Sequence, residues 1–255
     1  MKNILKSTNL PWITLACGGV GLLLQLWLLG TADEKGFVAS GHISGILLWI
    51  LTAGVLALLL LLTRDLQEAN KFSFNFPASD VGALGSLVGA LGLAVSSVAE
   101  LAQWEDAVAT AAAVFGVACA VTLVFLAQCR RKGQRPNSLF HVLICIYMAF
   151  RLISLYRRWN SDPQIQDYCF QLLATICLML AAYYRANFDA GMGNRRSYAF
   201  FNLAAVYLCC LSLTSWAQVP FYLGCGAWMV TDMCNLRPLP RGAFHRSNAA
   251  PEEQS

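Results

Sequence analysis

The sequence predicts an all-α integral membrane protein, a polytopic bundle of about eight transmembrane helices with both termini in the cytoplasm. The mean hydropathy is +0.54, 57% of the residues are apolar and 13% are charged, whereas soluble domains carry about 25% charged residues. Eight segments also approach the roughly 20 apolar residues with which a helix crosses a bilayer. The third observation is the uneven distribution of Lys and Arg between alternate connections.

The eight predicted spans are residues 12–30, 43–62, 81–99, 107–127, 139–157, 168–184, 198–217 and 219–236. When the connections are assigned alternately to the inside and the outside, starting inside, 14 of the 18 Lys and Arg residues fall inside. The remaining four are Lys35, Arg151, Arg157 and Arg158. Because Lys and Arg accumulate in cytoplasmic connections, this pattern predicts the orientation. It also explains the net charge of +4 through contacts with lipid headgroups rather than with nucleic acid.

The first span follows Lys2 and Lys6, as the apolar core of a signal peptide would. Its apolar run from Trp12 to Gly30 exceeds the usual 7–15 residues of such a core. We therefore expect it to be retained as the first helix. Cleavage near Gly30 is the alternative, and it would leave the other seven spans unchanged.

The second and third spans differ in their packing residues. The second is rich in leucine and ends at Arg64, and the stretch Lys71–Pro77 that follows alternates Phe with polar residues. This alternation predicts an extended or turn-like segment at the inner leaflet, with a docking surface for a partner as the alternative. The third span repeats small residues every three or four positions, which allows close helix packing and predicts a central helix. Those residues are Gly82, Gly85, Gly89, Gly92 and Ser96.

The chain divides into two blocks of four spans, residues 1–136 and 137–236, followed by a polar tail at 237–255. Each block has an even number of spans, so the two would be parallel repeats. The tail is predicted to be a disordered cytoplasmic segment because it lacks apolar residues to bury.

Arg151 is the leading candidate site residue because it lies well inside the fifth span. A cation at mid-bilayer costs about 2.5–3.5 kcal/mol on insertion scales, so it requires a partner or water. The short connection predicts that the fifth and sixth spans are antiparallel neighbours. Helical spacing then places Arg158 near Asp167, and Arg151 near Gln171 or Thr175. The tentative ligand-binding set is Arg151, Arg158, Asp167 and Gln171.

Two interpretations of Arg151 remain open. It either binds a solute, or it is neutralised by neighbours such as Asp167 or Glu100 and only fixes helix packing. The outer acids Asp33, Glu34, Glu105 and Asp106 allow the same choice between a polar mouth and salt bridges that hold the loops together.

Other polar residues favour structural roles. His141, at the start of the fifth span, is predicted at headgroup level. Asp232 is predicted to pair with Asn202 or Arg237, with a proton-relay role as the alternative. The ten cysteines have no zinc-ligand spacing and are expected to be packing residues. The sequence shows no catalytic motif and predicts no cofactor, no metal site and no enzymatic activity.

Two outer loops and their flanking helices carry a resemblance. The matching segments are Asp33–Gly36, Gly41–His42, Trp49, Arg157–Trp159 and Asp162–Gln164. They resemble an uncharacterised family of bacterial multi-pass membrane proteins. The resemblance implies a bacterial cytoplasmic membrane and brings no activity or site residue with it.

These observations predict a transporter-like or solute-binding membrane protein with an outward-facing polar site between the fifth and sixth helices. The alternative is a non-catalytic scaffold or accessory subunit whose polar residues only fix helix packing. The expected partners are the lipid bilayer and either a small polar solute or another membrane protein, with no nucleic acid.

Overall fold

A computed structural model describes residues 9–31, 43–66, 70–103, 107–159 and 168–237. Every regular element within these ranges is helical, and seven of the helices are long and apolar enough to cross a membrane. The prediction of a polytopic helical membrane protein is therefore confirmed. The helices, in chain order, are α1 Leu10–Gly30, α2 Ile43–Arg64, α3 Phe72–Asn75, α4 Asp80–Gln103, α5 Ala107–Lys132, α6 Ser138–Trp159, α7 Cys169–Ala190, α8 Arg195–Leu211 and α9 Val219–Cys234.

The eighth predicted span corresponds to α9, which is shorter than expected. α8 ends at Leu211 and a 3₁₀ turn, Ser212–Thr214, follows it. Pro220 lies in the first turn of α9, and the helix has only 16 residues, or about 24 Å at 1.5 Å per residue. That length falls short of the roughly 30 Å hydrocarbon core. Within the described ranges, seven helices are therefore of spanning length, and the shorter α9 packs against α4 and α8.

The segments predicted to face the cytoplasm meet at one end of the bundle, which we call the basic end. Arg196 Nε donates to the carbonyl of Leu66 at 2.9 Å, and Arg135 Nε donates to the carbonyl of Asp189. The amide of Arg237 donates to the carbonyl of Asn75 at 3.1 Å, and that of Ser79 donates to the carbonyl of Arg130 at 3.3 Å. These bonds join the connections after α2, α3, α5, α7 and α9.

The small residues of α4 are the surface on which α9 packs. A Cβ added at Gly92 would lie 2.3 Å from the carbonyl oxygen of Pro220 and 2.8 Å from Cα of Gly224. One added at Gly85 would lie 1.7 Å from Oγ1 of Thr231. The two backbones approach this closely because the side chains are absent, which is how helices associate in lipid.

The most enclosed spanning helix is α8 rather than α4. Two thirds of its apolar window is buried, 67% against 56% for α4, and α8 contacts α1, α2, α7 and α9. α4 packs against α5 and α9. The expectation that the third span would be central is therefore wrong. Its small residues serve one close helix pair and leave the other face of α4 exposed to lipid.

The Phe-rich stretch after α2 forms a single helical turn, so of the two predicted forms it is turn-like rather than extended. Phe72 and Phe76 are buried whereas Phe74 is 43% exposed, because one helical turn, α3, separates the two buried rings. Phe76 contacts Phe188 and Tyr198 edge-on, with ring centroids 5.3 and 5.6 Å apart. The aromatic side chains of this segment therefore pack into the bundle at the basic end.

Candidate functional site

Arg151 lies on α6 and is buried, with 1% of its surface exposed. Its Nη1 donates to Oε1 of Glu100 on α4 at 2.7 Å, and Nη2 donates to the side-chain oxygen of Gln218. The guanidinium carbon lies 3.7 Å from the ring centroid of Phe221. Tyr147, one turn earlier on α6, places its hydroxyl 3.3 Å from Nη1. The charge of Arg151 therefore has a carboxylate partner, an amide partner and an aromatic face.

Glu100 is one of the partners that the sequence allowed for Arg151, whereas Gln218 and Phe221 were not predicted. Glu100 lies in the last turn of α4, and Gln218 immediately precedes α9. The predicted neighbours Gln171 and Thr175 on α7 instead contact Tyr222: its hydroxyl donates to the carbonyl of Gln171 at 3.2 Å and lies 3.5 Å from Oγ1 of Thr175.

The other two members of the predicted set remain predictions. Asp167 and the side chain of Arg158 lie outside the described residues. Of the tentative ligand-binding residues, the structure therefore describes Arg151 and Gln171, and it does not bring these two together. Because Arg151 meets α4 and α9 where those helices end and begin, it lies nearer the edge of the bundle than its place in the fifth span suggested.

A second polar cluster lies at the basic end and contains three buried arginines. Arg130 on α5, Arg185 on α7 and Arg195 on α8 are each 2–4% exposed. Burying a charge without a partner is costly, so the surroundings of each are informative. Arg195 donates through Nη2 to the carbonyl of Arg237 at 2.5 Å, which ties the start of α8 to the end of α9.

The ring of Phe76 lies against both Arg130 and Arg185. The guanidinium carbon of Arg185 lies 3.3 Å from the ring centroid, and that of Arg130 lies 4.8 Å away. Arg185 also lies 5.2 Å from the ring of Phe72. Cation–π contacts are worth about 0.5–2 kcal/mol, more when desolvated. The aromatic stretch at α3 therefore offers ring faces to two buried cations.

Asp232 on α9 supplies the carboxylate for Arg130. Its Oδ1 lies 3.4 Å from Nη2 of Arg130, longer than the 2.7–2.9 Å of a close charge-assisted bond. Its Oδ2 accepts from the hydroxyl of Tyr198 at 3.2 Å, and Asn202 donates to that same hydroxyl at 3.2 Å. Asp232 therefore reaches Asn202 only through Tyr198, and its cation is Arg130 rather than Arg237. The predicted pairing was wrong because it considered only residues close to α9 in sequence.

His141 is buried inside the protein at the basic end, and its predicted headgroup level stays a prediction. It is 2% exposed, and its Nδ1 lies 2.6 Å from Oδ2 of Asp189 on α7. Its position in the first turn of α6 pointed to the headgroups. The interior location follows because α7 continues to Ala190 and the bond from Arg135 to Asp189 holds the connection before α6 over this end.

A small cleft opens between these groups, and we call it the basic cleft. About 10 Å³ of it admits the centre of a water molecule, which is room for about one water. Its walls come from α3 to α7 and α9. They are Phe72, Ser86, Leu126, Cys129, Arg130, Gln134, Pro136, His141, Arg185, Trp228 and Asp232.

The guanidinium groups at the basic cleft have more donors than acceptors. Three nitrogens of Arg130 and two of Arg185 are buried without a hydrogen-bond partner among the described residues. Buried polar groups are nearly always bonded, so each exception requires an explanation. The cleft walls carry Arg130 and Arg185 against one carboxylate, Asp232. Chemically, such a site favours an anion, because arginine presents a fork of N–H donors to oxyanions.

The residues of the basic cleft were not identified by sequence reasoning as a site. Arg130, Arg185 and His141 occur close to the predicted ends of their spans, where charged side chains ordinarily reach the headgroups. The one available signal was Asp232 inside the eighth span, an intramembrane acid that requires a cation. Within the described ranges, no group of three or more His, Cys, Asp or Glu residues lies close enough to hold a metal ion.

Comparison of the chain with protein-family models, with curated proteins and with solved structures found no significant match.

Proposed function

We propose that this chain is a transporter-like or solute-binding protein of the bacterial plasma membrane, and that its solute is a small anion bound at the basic cleft. The observation that carries the proposal is the set of five buried guanidinium nitrogens of Arg130 and Arg185 without hydrogen-bond partners. An anion would accept from these donors, which the buried carboxylates Asp232 and Asp189 leave without hydrogen bonds among the described residues.

The proposed site differs from the outward-facing one between the fifth and sixth spans. Arg151 already has Glu100, Gln218 and Phe221 as partners, so it has less need of a solute. The basic cleft has room for about one water and has N–H donors without hydrogen-bond partners among the described residues. With the basic end in the cytoplasm, as the distribution of Lys and Arg favours, the cleft would open inward.

The first test measures the Tm of the protein, purified in a detergent without a phosphate headgroup. Sodium gluconate is the reference salt, and it is replaced in turn by sodium chloride, nitrate, sulfate or phosphate. At 100 times its dissociation constant, a bound anion adds about 2.7 kcal/mol to stability, a rise in Tm of about 5–11 °C at about 2–4 °C per kcal/mol. We expect such a rise for at least one of these anions. Arg185→Gln should abolish it, because Arg185 has no carboxylate within 4 Å among the described residues and its charge is available to the anion.

The matched control is Arg131→Gln, next to Arg130 on α5. The side chain of Arg131 is 77% exposed, so the variant removes the same charge without changing the cleft. It should keep the full anion-dependent rise. A wild-type Tm that is the same in all five salts would contradict the proposed function.

A second candidate function is a non-catalytic scaffold or accessory subunit, which the contacts of Arg151 with Glu100 and Gln218 favour. In that case the buried charges only fix helix packing. The anion series separates the two functions, since a scaffold would gain no stability from a specific anion. We assign no enzymatic activity, because no catalytic motif accompanies either polar cluster.

A further inference from the structure

The pair formed by His141 and Asp189 lies at the wall of the basic cleft. His141 is itself a wall residue, and its Nδ1 lies 2.6 Å from Oδ2 of Asp189. Neither atom has a hydrogen bond of good geometry among the described residues; because a carboxylate only accepts hydrogen bonds, Nδ1 is assigned as the protonated nitrogen that faces it. Nε2 is then the nitrogen that can take up a second proton. Both side chains are at least 97% buried, so their charges act strongly on their neighbours.

Charged and titratable groups face this pair from several helices. α7 contributes Asp189 and, one turn earlier, Arg185. α5 contributes Arg130, and the connection after it contributes Arg135, which donates to the carbonyl of Asp189. α9 contributes Asp232. α8 contributes Tyr198, which is bonded to Asp232, and Arg195.

We propose that the His141–Asp189 pair couples the uptake of one proton to the binding of an anion at the basic cleft; the proposal rests on the proposed function. With His141 neutral, the pair carries one negative charge beside Arg185, which weakens the attraction of the cleft for an anion. A proton from water that binds to Nε2 makes the pair neutral. The positive charge of Arg130 and Arg185 is then less offset, and the anion binds more tightly.

The coupling is reciprocal. If protonation raises the affinity for an anion, then anion binding must raise the affinity of the pair for a proton by the same factor. The only bond formed is N–H, the proton comes from water, and no electrons are transferred. Histidine is the side chain that ordinarily changes charge between about pH 5 and 8, so the coupling should be visible in this range.

The experiment titrates the purified full chain with sodium chloride and with sodium sulfate, two anions that do not themselves titrate in the chosen range, at about pH 5.5 and about pH 8. We expect the dissociation constant of at least one of them to fall about tenfold at the lower pH, within the usual range of coupling between sites. His141→Gln should abolish this difference at whatever affinity remains. In weak buffer, addition of the anion to the wild type should also take up protons.

Two further variants test whether the pH difference comes from the His141–Asp189 pair. The double variant His42→Gln/His245→Gln leaves His141 as the only histidine of the chain, and it should keep the tenfold difference. Asp189→Asn mimics the neutral pair, so it should bind the anion at pH 8 as tightly as the wild type does at the lower pH. It also covers the case in which His141→Gln does not fold.

The outcomes separate the coupling from the proposed function. Anion binding of equal affinity at both pH values would overturn the coupling and leave the proposed function standing. The same would follow if His141→Gln kept the pH difference of the wild type. No binding of either anion at any pH would overturn the coupling and count against the proposed function.

Discussion

Arg151 and Glu100 form an ion pair whose two members differ in their access to water. Arg151 is 1% exposed, whereas the side chain of Glu100 is 16% exposed. Loss of one partner of a buried pair leaves the other charge uncompensated. The cost therefore depends on which partner remains, and the more buried one is more costly to strand.

We expect Glu100→Gln to destabilise the protein more than Arg151→Gln does. The first variant leaves a fully buried guanidinium unpaired, at about 3–5 kcal/mol. The second leaves a carboxylate that can turn toward water, at about 1–3 kcal/mol. The double variant should recover part of the loss. Thermal melting in detergent of the two single variants and the double variant gives the interaction energy between Arg151 and Glu100.

Asp80→Asn is the control, because Asp80 lies at the opposite end of the same helix. Its side chain is 87% exposed and 3.4 Å from the equally exposed Arg131, and exposed pairs contribute about 0–1 kcal/mol. Equal melting points for wild type, Arg151→Gln and Glu100→Gln would show that the pair does not stabilise the bundle.

Among the helix contacts, the close packing of α4 on α9 is the one that least tolerates a larger side chain. At Gly92, an added methyl group meets backbone atoms of Pro220 and Gly224, and backbone cannot move aside as the end of a flexible side chain can. The two helices would have to separate along much of their length.

Gly92→Ala should therefore lower the free energy of unfolding by about 1–3 kcal/mol, the usual cost of overpacking. The matched control is Gly54→Ala on α2, where an added Cβ has nothing within 4 Å. The control should be neutral or slightly stabilising, since alanine favours helix over glycine by about 1 kcal/mol. A Tm of Gly92→Ala equal to or above that of Gly54→Ala would contradict the close packing of α4 on α9.

The long helices could be predicted from sequence because each depends on its own composition. The glycine repeat of α4 likewise predicted a close contact with another helix. Its partner could not be predicted, because α9 lies more than a hundred residues along the chain and is too short to give a strong hydropathy signal. Sequence reasoning named Glu100 only as one alternative partner of Arg151, and it missed Gln218 for the same reason. Spacing along α6 and α7 shows which residues share one face of each helix. It does not show that α4 ends, and α9 begins, at the level of Arg151.

The residues of the basic cleft were missed for a different reason. Their burial depends on Phe76 and on bonds between connections, such as the one from Arg135 to Asp189. Neither feature leaves a local pattern in the sequence of α5, α6 or α7. The intramembrane acid Asp232 required a cation, and sequence alone could not choose Arg130 among the 18 basic residues.

At the scale of the whole molecule, the bundle has one end rich in arginine at which five connections meet. If this end faces the cytoplasm, reporter fusions after Lys132 and after Arg246 should report an inside location. Fusions at Glu34, Glu105, Asp162 and Ala217 should report outside. An inside result at any of these four positions would contradict the proposed topology.

The position of α9 has a consequence for how the protein is made. This helix is synthesised after all the others described, and it supplies the carboxylate of Arg130, the amide beside Arg151 and the surface that fills the glycine repeat of α4. Until it arrives, the growing bundle holds incompletely neutralised arginines in lipid. A chain that stops at Leu211 should therefore be recognised as unfinished and be degraded faster in a pulse-chase experiment than one that continues through Arg237. Membrane proteases would have a clear signal for an interrupted protein, because α9, the last helix among the described residues, completes these contacts.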